Sequence, residues 1–592
     1  MKRATDQYLI PETKAGEHSS YDIYPSFPLI DGEIYAGYEA LVEMILTHKT
    51  VILDGYVGVD WNEISVEIQK RADRKSLNIL LFPVKNCYKG EKQIEELVAP
   101  FLGGADPIFG RKGNIDLIDF FDQEKLTQLK KKDLNTTTII YGCGAQLTGI
   151  EGYLVYFDLP KNELQFRMRA GAITNLGLNR PKSNKQAYKH FYFVDWEVLN
   201  KAKKEILPQV DLFVDQQRPG LPVFASGQAI RSSLDAMSRS YFRVRPWFEP
   251  GVWGGQWIKE QIKGLNPNVP NYAWSFEMIV PENGLLFEQG GRLMEVSFDM
   301  LMYQSSKNVL GKAAKRFGDE FPIRFDFLDT YSGGNLSVQC HPKLEYIKEH
   351  FGEHFTQDET YYILDAEEDA EVYLGFQENI EAEKFRQALQ ESFETKEKLD
   401  VEKYVQKFPS KKHDLFLIPN GTVHCSGINN LVLEISATPY IYTFKMYDWQ
   451  RLDLDGNPRP LNIDRAMENL DFSRKGEEVK RSLISQPEVL AKAADWKKVH
   501  LPTHEAHFYD VFRYEFDNEV IIHTDGQCHL LMLVEGSSIQ LEIENGKTVT
   551  FQFAETFAIP AASRQYKLIH QGEKRAKVVV SFVKEEACNV EE

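Results

Sequence analysis

The chain has 592 residues, 43% of them hydrophobic and 26% charged, and a formal net charge of −18. Such a length holds about two to four domains with substantial cores, and the composition is that of ordinary globular proteins. The acidic residues are scattered rather than gathered in a tail, which argues against nonspecific binding to nucleic acid or to an anionic membrane and leaves room for a local basic pocket. The opening MKRATDQYLIPETKAGEHSS lacks the apolar core of a secretory signal, and no stretch reaches membrane-spanning length without charge. Cys87, Cys143, Cys340, Cys425, Cys528 and Cys588 are too widely spaced for a disulfide framework or a compact cysteine-based zinc motif. A cytoplasmic location is the simplest expectation; the oligomeric state is open.

In chain order, residues 1–240 read as an α/β domain. TVILDGYVGV, NILLFPV, TTTIIYGCGA and GYLVYFDLP are strand-like, and EKQIEELVAPFLGG is helix-like. That alternation predicts a mostly parallel sheet covered by helices. Gly55 and Gly58 after the first strand invite a phosphate-loop reading, but GYVGVDW lacks the GK[ST] ending that supplies a phosphate lysine and a magnesium hydroxyl. A tight strand–helix connection is the simpler reading, in a degenerate P-loop-kinase-like domain of unknown role. Residues 241–474 read as a strand-rich domain through YAWSFEMIV, RLMEVSFD, FPIRFDFLD, HDLFLIPNG, NLVLEIS and YIYTFKMY, with a helical insertion near 380–408. Residues 475–592 carry short strands between Gly, Asn and Asp turns, the pattern of a β-sandwich or jelly roll. His504, His507, His523 and His529 in that last region read as core or exposed strand histidines rather than as a second metal site.

The middle region holds a dispersed set of metal-ligand types. Gln339 and His341 lie two apart in NLSVQCHP, so a strand there turns both to one side and Cys340 to the other. Glu359 opens ETYYILDA, and His424 ends PNGTVH, where Asn420 and Gly421 suit a tight or left-handed turn. Imidazole and carboxylate suit zinc, and three protein ligands plus exchangeable solvent make an open site; Gln339 adds a neutral oxygen. The bland alternatives are a backbone-capping glutamine, core histidines and a solvated glutamate.

At these residues the chain resembles the class I mannose-6-phosphate isomerases, zinc enzymes of the cupin fold. The likeness covers roughly residues 240–470, with the last region similar to that family's additional cupin domain. GVWGGQW (251–257), SFEM (275–278), NLSVQCHP (335–342), ETYYIL (359–364), IPNGTVH (418–424), YDWQR (447–451) and DGNPRPL (455–461) follow the family's motifs in order. The resemblance implies two all-β cupin domains after the α/β domain, and one zinc ion on Gln339, His341, Glu359 and His424. It implies interconversion of mannose 6-phosphate and fructose 6-phosphate by proton transfer through an enediolate, with a phosphorylated hexose as partner. Glu434, which interrupts the apolar LVLEIS, is then the candidate proton carrier, and its alternative role is to orient a ligand or an arginine. Lys445 and Arg451, with Arg459 nearby, are candidates for substrate and phosphate contacts. Three positions depart from the family: Gln357 and Lys445 stand where a lysine and an arginine are usual, and Asn462 where many relatives have histidine. These departures admit a different sugar or phosphosugar, or a metal-retaining sugar-binding protein with little turnover.

Overall fold

A computed structural model describes the chain except for residues 15–19, 131–135, 454, 455, 457, 545 and 590–592. Part of the DGNPRPL segment therefore lies outside the described residues. In the first region, five strands run parallel in the order Ile79–Pro83, Thr137–Tyr141, Thr50–Gly55, Tyr153–Asp158 and Leu212–Asp215. Val223–Ser226 and Tyr35–Ala36 extend one edge through antiparallel pairings. The expected parallel sheet forms around TVILDG, which is buried along nearly its whole length, as a strand covered on both faces must be, with Val51, Ile52 and Leu53 as its apolar centre. GYVGVDW makes the tight connection: Gly58 takes φ 89°, and the Asp60 side chain caps the helix Trp61–Arg74 by accepting from the Glu63 amide.

The middle region forms two antiparallel sheets whose inner faces meet. One has the order Leu415–Ile418, Glu359–Ala366, Asn430–Ala437, Ile323–Asp329, Trp274–Phe276 and Trp247–Glu249. The other has the order Val405–Pro409, Glu371–Phe376, His424–Ser426, Val338–Cys340 and Phe444–Tyr447. The helical insertion is shorter than the sequence predicts. The helix Ala382–Thr395 buries Phe385 and Leu389 and stops at Lys396, which takes a left-handed φ of 63°. Val405–Pro409, inside the span expected to be helical, is instead a strand paired with Glu371–Phe376. YVQKFP has no period-two alternation of its own, and its pairing with Glu371–Phe376 makes it a strand.

The first region is not confined to its own sheet. Ser26–Pro28 pairs in parallel with Gly284–Gln289 of the middle region, which itself pairs with Arg292–Ser297, and Phe242, just past the first region, bridges to Ala558 in the last one. One apolar core joins Phe109, Phe193 and Trp196 of the first region to Tyr442 and Phe444 of the middle one. The last region stacks a six-stranded sheet on a four-stranded one. His507 and His529 are buried there, and burial pushes the His529 pKa down to about 3, as expected of core histidines. All six cysteines are free and buried, and no helix among the described residues is long and apolar enough to cross a membrane.

His413 ties the last region to the middle one. Its Nδ1 accepts from Tyr362 Oη at 2.7 Å, and its Nε2 donates to Glu535 at 2.5 Å. Burial lowers its pKa from 6.5 to about 4. The folded state therefore prefers the neutral ring. This contribution is complete above the unfolded pKa and is lost as pH falls through about 4. Thermal unfolding followed from pH 7 to pH 4 is expected to show a falling midpoint, with a shallower fall in His413→Gln; parallel slopes in the two proteins would remove His413 from the account.

Candidate metal centre

The strand register lays out the site. Gln339 stands directly opposite His424 on one side and Lys445 on the other, so the three side chains form a row on one face. From the facing sheet, Ser436 pairs with both Arg324 and Glu359, and Glu434 pairs with both Asp326 and Tyr361. These six residues share the face that looks across at the first row. Cys340 points away, its Sγ 3.9 Å from the Ala466 carbonyl. The 418–424 turn locks the two sheets together. Gly421 donates its amide to the His341 carbonyl at 2.9 Å, and Asn420 donates from its amide and Nδ2 to Asp358 Oδ1 at 2.7 and 2.9 Å. Gly421 takes φ 78°, and a Cβ there would meet the Asn469 carbonyl at 2.7 Å, so both conformation and space require glycine.

His341 and His424 are fully buried and Glu359 is 1% exposed. His341 Nδ1 lies 3.0 Å from the Tyr442 carbonyl, and His424 Nδ1 lies 2.9 Å from the Thr422 carbonyl. A carbonyl only accepts, so each Nδ1 carries the hydrogen and each neutral ring presents its Nε2 lone pair. Those lone pairs face a carboxylate: His341 Nε2 is 2.9 Å from Glu359 Oε1, and His424 Nε2 is 3.4 Å from Oε2. Acceptor confronts acceptor unless a proton or a cation lies between them. The three ligand atoms fall within 4.8 Å of one another, as one ion requires.

Charge balance points the same way. Glu359, Glu434 and Asp326 are all buried, and Arg324 is the cation that contacts the glutamates, 3.3 Å from Glu359 and in close contact with Glu434. Arg324 is also 4.0 Å from Asp326. Three ionised carboxylates and one guanidinium leave an excess of two negative charges in a low-dielectric interior. The interior answers with protons or with a divalent cation. Burial favours protons, pushing Asp326 up to about 7 and Glu434 well above the usual carboxylate range. A divalent ion at His341, Glu359 and His424 neutralises the same excess, and the two-nitrogen, one-carboxylate donor set suits zinc. The residues present fit the ion.

The other expected residues divide into two groups. Gln339 lies beside the cluster, but its Nε2 faces His424 Nε2 at 3.3 Å while its Oε1 accepts from Ser337 Oγ at 2.9 Å. Rotation of the amide would bring the oxygen to the metal position. Gln357 donates from Nε2 to Glu359 Oε1 at 2.6 Å, so it steadies the carboxylate as a neutral group. Lys445 is half-buried in the row with Gln339, and burial and the nearby Arg459 lower its pKa to about 8. Arg451 is held elsewhere: it donates to the Asn335 carbonyl and pairs with Asp448, which also takes Arg459. That arrangement clamps the 448–459 segment and leaves neither guanidinium free for a phosphate. Asn462 donates its amide to the Lys445 carbonyl at 2.7 Å.

Sequence reasoning missed Arg324, Asp326 and Tyr361. The Tyr361 hydroxyl is buried without a partner among the described residues, and its ring centroid lies 5.9 Å from that of His424. Arg324 and Asp326 gave the signal that Glu434 gave, charges two apart in an otherwise apolar strand. The carbonyls of Thr422 and Tyr442 gave none, because a backbone acceptor has no letter.

Residues 37–239 match a family model described as a domain of unknown function (DUF8485). Mannose-6-phosphate isomerase ManA of Bacillus subtilis (strain 168) is 26% identical over 227 residues, covering 38% of this chain and 67% of that protein. Probable mannose-6-phosphate isomerase GmuF of the same strain is 33% identical over 226 residues, covering 38% of this chain and 66% of that protein. A crystal structure of the mannose 6-phosphate isomerase from Bacillus subtilis superposes with a TM-score of 0.46 at 20% identity, over 58% of this chain and 99% of that one. The chain spans about two thirds of the length of these two curated relatives. Part of this chain is therefore homologous, at low identity, to the mannose-6-phosphate isomerase family, and the rest is additional to it.

Proposed function

We propose that the chain is a zinc-dependent aldose–ketose isomerase that interconverts mannose 6-phosphate and fructose 6-phosphate. The observation that carries this reading is the convergence of the two imidazole Nε2 atoms on the Glu359 carboxylate, with both Nδ1 atoms committed to backbone carbonyls. The partial homology supplies the reaction class. His341, His424 and Glu359 would hold the ion, with Gln339 beside them. Zinc held there would supply a Lewis acid for the oxygens of an open-chain sugar. Glu434 lines the same interior and carries the proton between C2 and C1: it takes the proton as the enediolate forms and returns it to the neighbouring carbon. Arg324 fixes the Glu434 carboxyl through a direct ion pair, and Ser436 Oγ donates to the same carboxyl at 2.8 Å. Lys445 receives the phosphate.

A second reading, an isomerase or epimerase of the same kind acting on a different sugar or phosphosugar, is favoured by Gln357. Its amide is spent on Glu359, and it brings no positive charge to a phosphate. A coupled assay over mannose 6-phosphate, glucose 6-phosphate and free mannose, with metal measured on the same sample, separates the readings. Lys445→Ala is expected to lower kcat/KM for mannose 6-phosphate by about 10-fold or more, the worth of one charge-assisted hydrogen bond. Unphosphorylated mannose should be nearly unaffected by the change. Equal losses on both sugars would make Lys445 structural, and no turnover on any of the three by metal-loaded protein would leave a binding protein.

A further inference from the structure

A cavity of about 640 Å³ lies wholly within the first region. It opens outside the carboxyl ends of the parallel strands Thr50–Gly55, Ile79–Pro83 and Thr137–Tyr141, and the loop at 172–179 completes it. Its position follows from the topology. The connection leaving Thr50–Gly55 runs to Ile79–Pro83 on one side of the sheet, while the connection leaving its neighbour Tyr153–Asp158 runs to Leu212–Asp215 on the other. Connections that diverge from adjacent strands leave a crevice between them, and ligands of open α/β sheets occupy that crevice. The volume falls in the range of small-molecule sites.

Two independent features show what the cavity would take. The first is charge. Lys85, Lys89 and Lys125 line it, against Asp60 and Glu91, in a chain whose net charge is −18. The acids are committed, Asp60 to the cap of helix Trp61–Arg74 and Glu91 to Asn179 at 2.9 Å. Lys85 and Lys89 have no ion-pair partner among the described residues. The second is an orphaned acceptor. Asn175 is 2% exposed and lines the cavity. Its Nδ2 is fixed by the Asp195 carboxylate at 2.9 Å and the Ala187 carbonyl at 3.1 Å, while its Oδ1 has no partner among the described residues. A buried amide oxygen left unpaired costs about 1–3 kcal/mol unless a ligand hydroxyl or amine meets it. Trp61, Tyr88 and Tyr141 give the cavity aromatic wall.

We propose that this cavity is a binding site for a small organic phosphate monoester, with its phosphate on Lys85 and Lys89 and a hydroxyl or amine of its organic part on Asn175 Oδ1. The proposal is independent of the isomerase reading, since no residue of the metal centre lines the cavity. A nucleoside monophosphate and a hexose phosphate share this chemistry, and calorimetric titration of the full chain with AMP and with fructose 6-phosphate distinguishes them. His341→Ala serves as the background in which a sugar phosphate at the metal centre is disabled. In that background, one of the two ligands is expected to bind with one-to-one stoichiometry. Adding K85E and K89E, two changes away from the apolar core, is expected to weaken that binding by about 10-fold or more, and raising the salt from 50 to 200 mM should weaken it further. Asn62→Trp, which fills the mouth of the cavity from the first turn of the helix, should act in the same direction. The proposal is overturned if neither ligand binds, or if binding survives both the charge reversal and Asn62→Trp unchanged.

Discussion

His341→Ala is expected to lose its metal and its turnover together. The two imidazoles and Glu359 supply three donors within one ion's reach, and no fourth histidine or carboxylate joins them among the described residues. Removing an outer partner of a metal ligand typically costs 10–100-fold, so removing a ligand itself should cost at least about 100-fold in metal affinity and in kcat/KM. His424→Ala should do the same. Both rings are fully buried, so each variant is also checked for folding by circular dichroism. Metal content and isomerase rate should fall in proportion across wild type, His341→Ala and His424→Ala. A folded, metal-free variant with full activity would sink the zinc assignment while leaving the fold untouched.

The largest effect on stability is expected at Arg324. The side chain is 4% exposed and lies between Glu359, Glu434 and Asp326, with Nε donating to Ser436 Oγ at 2.6 Å. Arg324→Met keeps much of the volume and removes the charge, leaving buried carboxylates without their cation. Breaking a buried ion pair on one side costs about 3–5 kcal/mol, more than most core truncations. Adding Glu434→Gln removes part of the uncompensated charge and should recover a measurable share of the loss, a coupling read from the double-mutant cycle. Denaturant midpoints are the measurement. Additive losses in the double variant would mean that Arg324 acts through packing alone, and the charge account of the interior would have to be given up.

What the sequence made legible follows the range of each signal. TVILDG shows its parallel strand because burial on both faces writes consecutive apolar residues, Val51, Ile52 and Leu53, rather than an alternation. Gln339, His341 and His424 are readable because a strand's two-residue period and a glycine turn are local. The helix from Ala382 ends earlier than the sequence predicts because a single left-handed residue, Lys396, stops it inside a charged, helix-prone run that carries no local stop signal. The pairing of Ser26–Pro28 with Gly284–Gln289 was invisible, since three residues carry no period and their partner lies more than 250 positions away. Arg451 stands beside the right motif but spends its guanidinium on Asn335 and Asp448, a choice that only tertiary geometry makes.

The aromatic seam between the first and middle regions bears on the metal centre through one atom. The carbonyl that orients His341 belongs to Tyr442, whose ring is stacked on Phe351 at 4.9 Å and on Phe109 at 6.1 Å and meets Phe193 at 6.5 Å. Phe109 and Phe193 contribute no ligand, yet a tilt of the Tyr442 peptide would turn the imidazole. A substitution at Phe109 or Phe193 would therefore reach the His341 ring through the Tyr442 carbonyl, although neither residue belongs to the cluster.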